Sequence, residues 1–209
     1  MGCATEQVMR AVIVAAGVIA EHRRELIELD RAIGDADHGE NMNRGFVAIV
    51  EALAEASPKT PGAVLKIAAT TLISKVGGAA GPLYGTAFLR AATKLGDRSE
   101  VDVPALVEAL KAALEGVQAR GKAVKGDATM VDALLPAVEA AEAAAQQGAD
   151  LATVLAAAAD AADKGAESTV DLVPRKGRAS YLGERALGHM DPGARSTALL
   201  LHAFAEAAR

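Results

Sequence analysis

Apolar side chains recur at three- and four-residue spacing along most of the chain, as in Val8, Val12, Ala15, Ala16 and Ile19 and then Leu26 and Leu29. No stretch alternates apolar and polar residues convincingly. Such a rhythm gathers the apolar groups on one stripe of a helix but scatters them over both faces of a strand, so it commits the chain to packed helices. Breakers divide the sequence into eight predicted helices, at about 5–29, 41–56, 61–75, 82–95, 103–120, 129–147, 150–167 and 193–208. Ser57-Pro58 and Thr60-Pro61 precede the third, Asp102 with Pro104 opens the fifth, and Asp191-Pro192-Gly193 leads into the last. Gly96, Gly121 and Gly148 mark ends. Mostly short joins make antiparallel neighbours, hence an all-α bundle or closed ring of eight helices. Its 209 residues read as one domain, 1–209. With aromatics at 2% and no Trp, small aliphatic side chains must fill the core.

The same scarcity argues against base-stacking platforms and aromatic sugar clefts. Lys and Arg number 22 against 27 Asp and Glu, a net charge of −5 that disfavours nucleic acid and anionic membranes as partners. The single cysteine, Cys3, excludes a disulfide framework or a cysteine metal cluster within one chain and fits a reducing, cytoplasmic setting. The apolar run AVIVAAGVIA at 11–20 is too short to span a bilayer, and its flanks do not make a signal peptide. Glu6 stands where N-myristoylation wants Ser or Thr.

Two connections, 30–40 and 168–192, are too long and polar to be mere turns, and such loops carry chemistry. The first places Asp30, Asp35 and Asp37 within eight positions, followed by His38, Asn41 and Asn43. In a loop, with Gly34 and Gly39 as permissive backbone, the three carboxylates can converge. Two of them 4 Å apart repel by roughly 4 kcal/mol at an effective dielectric near 20, a cost that a bound cation removes. Hard oxygen donors without cysteine suit Mg²⁺. A calcium EF-hand fails, because its sixth and twelfth positions counted from Asp35 hold Glu40 and Phe46, not Gly and Glu. The bland alternative is a set of solvated aspartates with Asp37 or Asn41 capping the next helix.

GGAAGPLYGT at 77–86 can aim backbone amides and a helix N-terminus at an anion, or can simply be a tight turn between close-packed helices. GVQARGKA at 116–123 nearly spells a Walker A motif, but Ala123 lacks the hydroxyl and the motif follows a helix, so it reads as a helix end. Arg175, Lys176, Arg178 and Arg185 collect in 174–194, a composition that suits phosphate or a solvated basic loop. A cation site, an anion turn and an arginine loop together describe a phosphate pocket.

GDADHGENMNRGF, GGAAGPLYGT, RGKAVKGDATM and KGRASYLGERALGHMDPGA, in this order and spacing, closely resemble the nucleotide-binding L-subunit family of bacterial dihydroxyacetone kinases over essentially the whole chain. The resemblance implies an eight-helix antiparallel barrel holding ADP and two Mg²⁺ at one end. It implies that Asp30, Asp35 and Asp37 bind both ions, and that His38, Gly39, Glu40 and Asn41 lie against the nucleotide. Gly78, Ala79 and Ala80 are then expected at the phosphates, Gly121 and Met130 at adenine and ribose, and Arg178, Asp191, Pro192 and Gly193 closing the site. The family commonly has Ser where this chain has Ala80, which removes a hydroxyl contact to phosphate.

The implied activity is phosphoryl transfer between proteins. ADP stays bound, takes phosphate from a phosphohistidine on a phosphotransferase-system partner, and as ATP passes it to dihydroxyacetone on a separate substrate-binding subunit. No catalytic base is expected on this chain, and homodimerisation is left open. The chain length matches the nucleotide domain alone, whereas ATP-dependent members join both domains. The alternatives are an L subunit exchanging free ATP for a related ketose such as erythrulose, and a non-catalytic helical module holding a lipid in its core.

Overall fold

The first predicted helix breaks in two. In the computed structural model, which describes residues 2–209, His22 (φ −89°, ψ 6°) separates α1, Thr5–Glu21, from α2, Arg23–Ile33. The apolar stripe runs on across the break, with Ile19 and Leu26 both fully buried, so periodicity alone does not betray it. Then follow α3, His38–Ala56; α4, Pro61–Lys75; α5, Ala80–Leu95; α6, Val103–Gly121; α7, Met130–Gln146; α8, Leu151–Ser168; and α9, Pro192–Ala207. Side-chain caps close five starts: Thr60, Asp102, Asp150 and Asp191 each accept a hydrogen bond from an amide three residues on, and Thr129 accepts from the Val131 amide.

Eight of these helices close a ring. α1 packs on α3, α3 on α4, and so on in chain order to α9, which returns to α1, while α2 continues α1 and lies against α3 and α9 at one end. Antiparallel succession sends alternate connections to opposite ends. Residues 34–37, 76–79, 122–129 and 169–191 therefore share one end, and these are the segments singled out above. At the other end, Cys3–Ala4 (β1) pairs antiparallel with Glu100–Val101 (β2), a ladder too short to leave an alternating pattern in the sequence.

The main core contains Ile19, Leu26, Met42, Phe46, Leu72 and Phe88. The three phenylalanines form one edge-to-face chain, Phe46 to Phe88 at 6.5 Å and Phe88 to Phe204 at 6.4 Å between ring centroids. A second cluster on α7, α8 and α9 is mostly alanine, with Ala133, Ala137, Ala158 and Ala162 at zero exposure, so the helix backbones approach closely. Pro136 lacks the amide that would bond the Asp132 carbonyl, and Gly165 of α8 packs on that carbonyl. An apolar cavity of about 180 Å³ remains between helices, lined in part by Val12, Phe88, Leu110, Leu134 and Phe204. No helix among the described residues is long and apolar enough to cross a membrane.

Candidate functional site

The acidic connection is shorter than the sequence suggests, because α2 runs to Ile33 and α3 begins at His38, leaving residues 34–37 as loop. Asp30 sits buried in the last turn of α2, and its Oδ2 accepts from the amides of Asp37 (2.8 Å) and His38 (3.1 Å), which folds the loop back over it. Ala36, with φ 62°, makes the sharp bend between Asp35 and Asp37. The permissive residue is therefore Ala36, not Gly34 or Gly39. Gly34 serves close approach: a Cβ there would lie 2.1 Å from Asp30 Oδ1. The result is that oxygens of Asp30, Asp35 and Asp37 lie within 4.8 Å of one another. Like charges so close repel by roughly 3–4 kcal/mol per pair at an effective dielectric near 20. Arg178 Nη2 lies 3.0 Å from Asp35 Oδ2 and offsets part of this from the solvent side.

Beside the carboxylates, Gly78 takes φ 65° and turns the chain from α4 into α5. Ala79 and Ala80 then start α5 with no side-chain cap, leaving their amides on an exposed turn. The turn lies over Asn41, whose Nδ2 is 3.9 Å from where a Gly78 Cβ would be and whose Oδ1 accepts from Arg44 at 2.6 Å. Gly39 and Glu40 face elsewhere. A Cβ on Gly39 would strike the Arg23 carbonyl at 2.3 Å, and Glu40 pairs with Arg23 at 2.6 Å, so both bind α3 to α2.

The connection 122–129 is shaped by two buried carboxylates that sequence reasoning overlooked. Asp127 Oδ2 accepts from Val124, and Asp132 accepts from Gly126 and Thr129. A Thr-x-x-Asp capping box preceded by Gly-Asp, GDATMVD at 126–132, was the available signal. The Arg175 amide donates to the Asp127 carbonyl at 3.0 Å, joining this connection to the basic one. Gly121 ends α6 against Leu83, and Met130 packs on Gly193 at the start of α9.

Also overlooked were Tyr84, Ser196 and Thr197, all buried. The Tyr84 hydroxyl lies 2.9 Å from the Gly193 carbonyl, 2.7 Å from Ser196 Oγ and 2.8 Å from Thr197 Oγ1, and Ser196 Oγ lies 2.9 Å from His38 Nε2. Burial pushes the His38 imidazole down to about 4, with the Asp30 charge opposing, so the ring is neutral at pH 7. Burial raises the Asp191 carboxyl to about 7; the Ala194 amide opposes the rise, and the charges of Asp132 and Asp30 add to it.

The DAK2 domain matches residues 32–206. Over its full length the chain is 42% identical to the whole of the PEP-dependent dihydroxyacetone kinase ADP-binding subunit DhaL of Escherichia coli K12. The chain belongs to the DhaL family. A DhaL subunit of Listeria innocua is 44% identical over 89% of this chain and 88% of its own. The fold likewise matches the crystal structure of the dihydroxyacetone kinase from C. freundii in complex with AMP-PNP and Mg²⁺, at a TM-score of 0.74 and 30% identity. That match covers 99% of this chain and spans about a third (34%) of the kinase's length. Membership accounts for the closed helical ring and for the four connections that meet at one end of it.

Proposed function

We propose that residues 1–209 act as one domain that holds ADP with two magnesium ions as the nucleotide-binding subunit of a PEP-dependent dihydroxyacetone kinase. It would relay a phosphoryl group from a phosphohistidine on a phosphotransferase partner to dihydroxyacetone on a separate substrate-binding subunit. The observation that carries this reading is the convergence of Asp30, Asp35 and Asp37 within 4.8 Å, beside an uncapped helix start. The donor set fits magnesium: it is all hard carboxylate oxygen, and two backbone amides already orient Asp30 through Oδ2.

When bound, magnesium would neutralise charge on the phosphates, and the nucleotide would carry the transferred group. The protein's share is placement. Asp30, Asp35 and Asp37 would hold the metal, while the amides of Gly78, Ala79 and Ala80 and the side chain of Arg178 would take phosphate oxygens. Gly121 and Met130 would border adenine and ribose, and Asp191, Pro192 and Gly193, with His38 and Asn41, would wall the site. Neutral His38 can donate or accept one hydrogen bond without adding charge. Ala80 offers only its backbone N–H.

Native mass spectrometry of the purified protein tests the reading directly. A retained ADP with two magnesium ions is expected, and Asp35→Asn should release both. Transfer from phosphoenolpyruvate through purified phosphotransferase components should phosphorylate dihydroxyacetone; product formed only with added free ATP would replace the coenzyme role with exchange.

A further inference from the structure

We infer that Tyr84 is a positioning residue that fixes the start of α9 and the His38 imidazole relative to the Gly78–Ala80 turn, an inference that rests on the nucleotide-binding reading above. Tyr84 stands one helical turn into α5, directly after that exposed turn. Its hydroxyl crosses the ring to α9, where it meets the Gly193 carbonyl, Ser196 Oγ and Thr197 Oγ1 within 2.9 Å. Ser196 carries the contact on to His38 Nε2, at the start of α3. One buried phenol thus touches or reaches the three helix starts that surround the carboxylate cluster.

Three hydroxyls converge on the Gly193 carbonyl, with Ser196 Oγ 3.1 Å and Thr197 Oγ1 2.8 Å from it beside the phenol. The carbonyl only accepts and each hydroxyl has one proton, so whether Tyr84 donates to Gly193, Ser196 or Thr197 decides which protons the other two have left to give. Ser196 Oγ meets His38 Nε2 at 2.9 Å as acceptor or as donor according to where its own proton goes, and the phenol, 2.7 Å from Ser196, takes part in that choice. None of these side-chain polar atoms is buried without a partner. A phenylalanine would keep the packing of Tyr84 and remove this hydroxyl partner of Ser196 and Thr197, changing the hydrogen bonding that Ser196 offers the His38 imidazole.

The test uses the intact chain with Tyr84→Phe, Ser196→Ala and the double variant. His38 ring nitrogen shifts are read by NMR at one fixed pH, assigned with His38→Gln, and the Kd for Mg·ADP is read by calorimetry. Tyr84→Phe is expected to move the His38 ring signals and to raise the Kd about tenfold, the effect of one lost buried hydrogen bond. In the Ser196→Ala background the same change should no longer move His38, because the intermediary is gone. His38 signals or a Kd unchanged in Tyr84→Phe would overturn the inference. Should Tyr84→Phe fail to fold, Ser196→Ala decides: it must move His38 and weaken Mg·ADP, and wild-type values for either overturn the relay. If the wild-type protein itself binds no Mg·ADP, the nucleotide reading falls, and the ring shifts alone still decide whether Tyr84 sets His38.

Discussion

Arg178 and Asp35 meet at 3.0 Å, and through them the basic connection closes over the acidic one. The guanidinium is two-thirds exposed, at 68%, so the pair contributes little to folding. On the proposed function its value lies in placing a bidentate donor beside the carboxylates, where a diphosphate would sit. Arg178→Gln is therefore expected to leave the melting temperature within about 2 °C of wild type and to weaken Mg·ADP binding roughly ten- to a hundredfold. Thermal melts and calorimetry on the same preparation separate the two effects.

Gly34 is where the acidic loop has no room to change. A Cβ would meet Asp30 Oδ1 at 2.1 Å and the Asp30 carbonyl at 3.1 Å, so Gly34→Ala must push the Asp30 carboxylate out of its bonds with the Asp37 and His38 amides. The expected cost is about 1–3 kcal/mol in urea unfolding without metal. Magnesium should raise wild-type stability by mass action and leave Gly34→Ala unmoved. Equal stabilisation of both proteins by magnesium would show that the cluster does not depend on this contact.

The ring and the carboxylate cluster were legible because each has a local cause: three- and four-residue periodicity for the helices, and three aspartates within eight positions for the cluster. The break at His22 was not, since Ile19 and Leu26 stay buried on either side of it. Nor was the left-handed residue of the acidic loop, which is Ala36 where glycine was the natural expectation. Tyr84 and Ser196 lie 112 positions apart and join only when the ring closes, so neither carries a local mark of its role. Gly39 and Glu40 stand beside ligand-like neighbours in sequence, yet their surroundings on α2 decide where they face.

Asp191 gives stability a pH dependence of known sign. Its carboxyl lies near 7 when folded against an ordinary 3.8, so between those values the folded chain keeps a proton that the unfolded chain has released. Its contribution is complete below about pH 4 and is lost as pH rises through 7. Asn at this position keeps a capping oxygen for the Ala194 amide and cannot ionise. Compared with Asp191→Asn, the metal-free wild type should lose about 4 kcal/mol between pH 4 and pH 8, read from denaturant unfolding at both. A difference that stays constant with pH would place the Asp191 titration in its ordinary range.

Two helix glycines separate packing from propensity. Gly17 in α1 has nothing within 4 Å of where a Cβ would stand, so Gly17→Ala should stabilise the chain by about 0.5–1 kcal/mol through helix propensity alone. Gly165 in α8 is the opposite case: its Cβ would lie 2.2 Å from the Asp132 carbonyl and 2.9 Å from Ala133 Cα, both backbone. Gly165→Ala should therefore destabilise by about 1–3 kcal/mol despite the better propensity of alanine. The displaced segment also carries the Asp132 carboxylate, which holds the Gly126 and Thr129 amides in the 122–129 connection. Mg·ADP affinity should consequently fall in Gly165→Ala and stay at the wild-type value in Gly17→Ala, although neither residue lines the site. Denaturant midpoints and calorimetric affinities of the two variants, measured side by side, check both halves of this expectation.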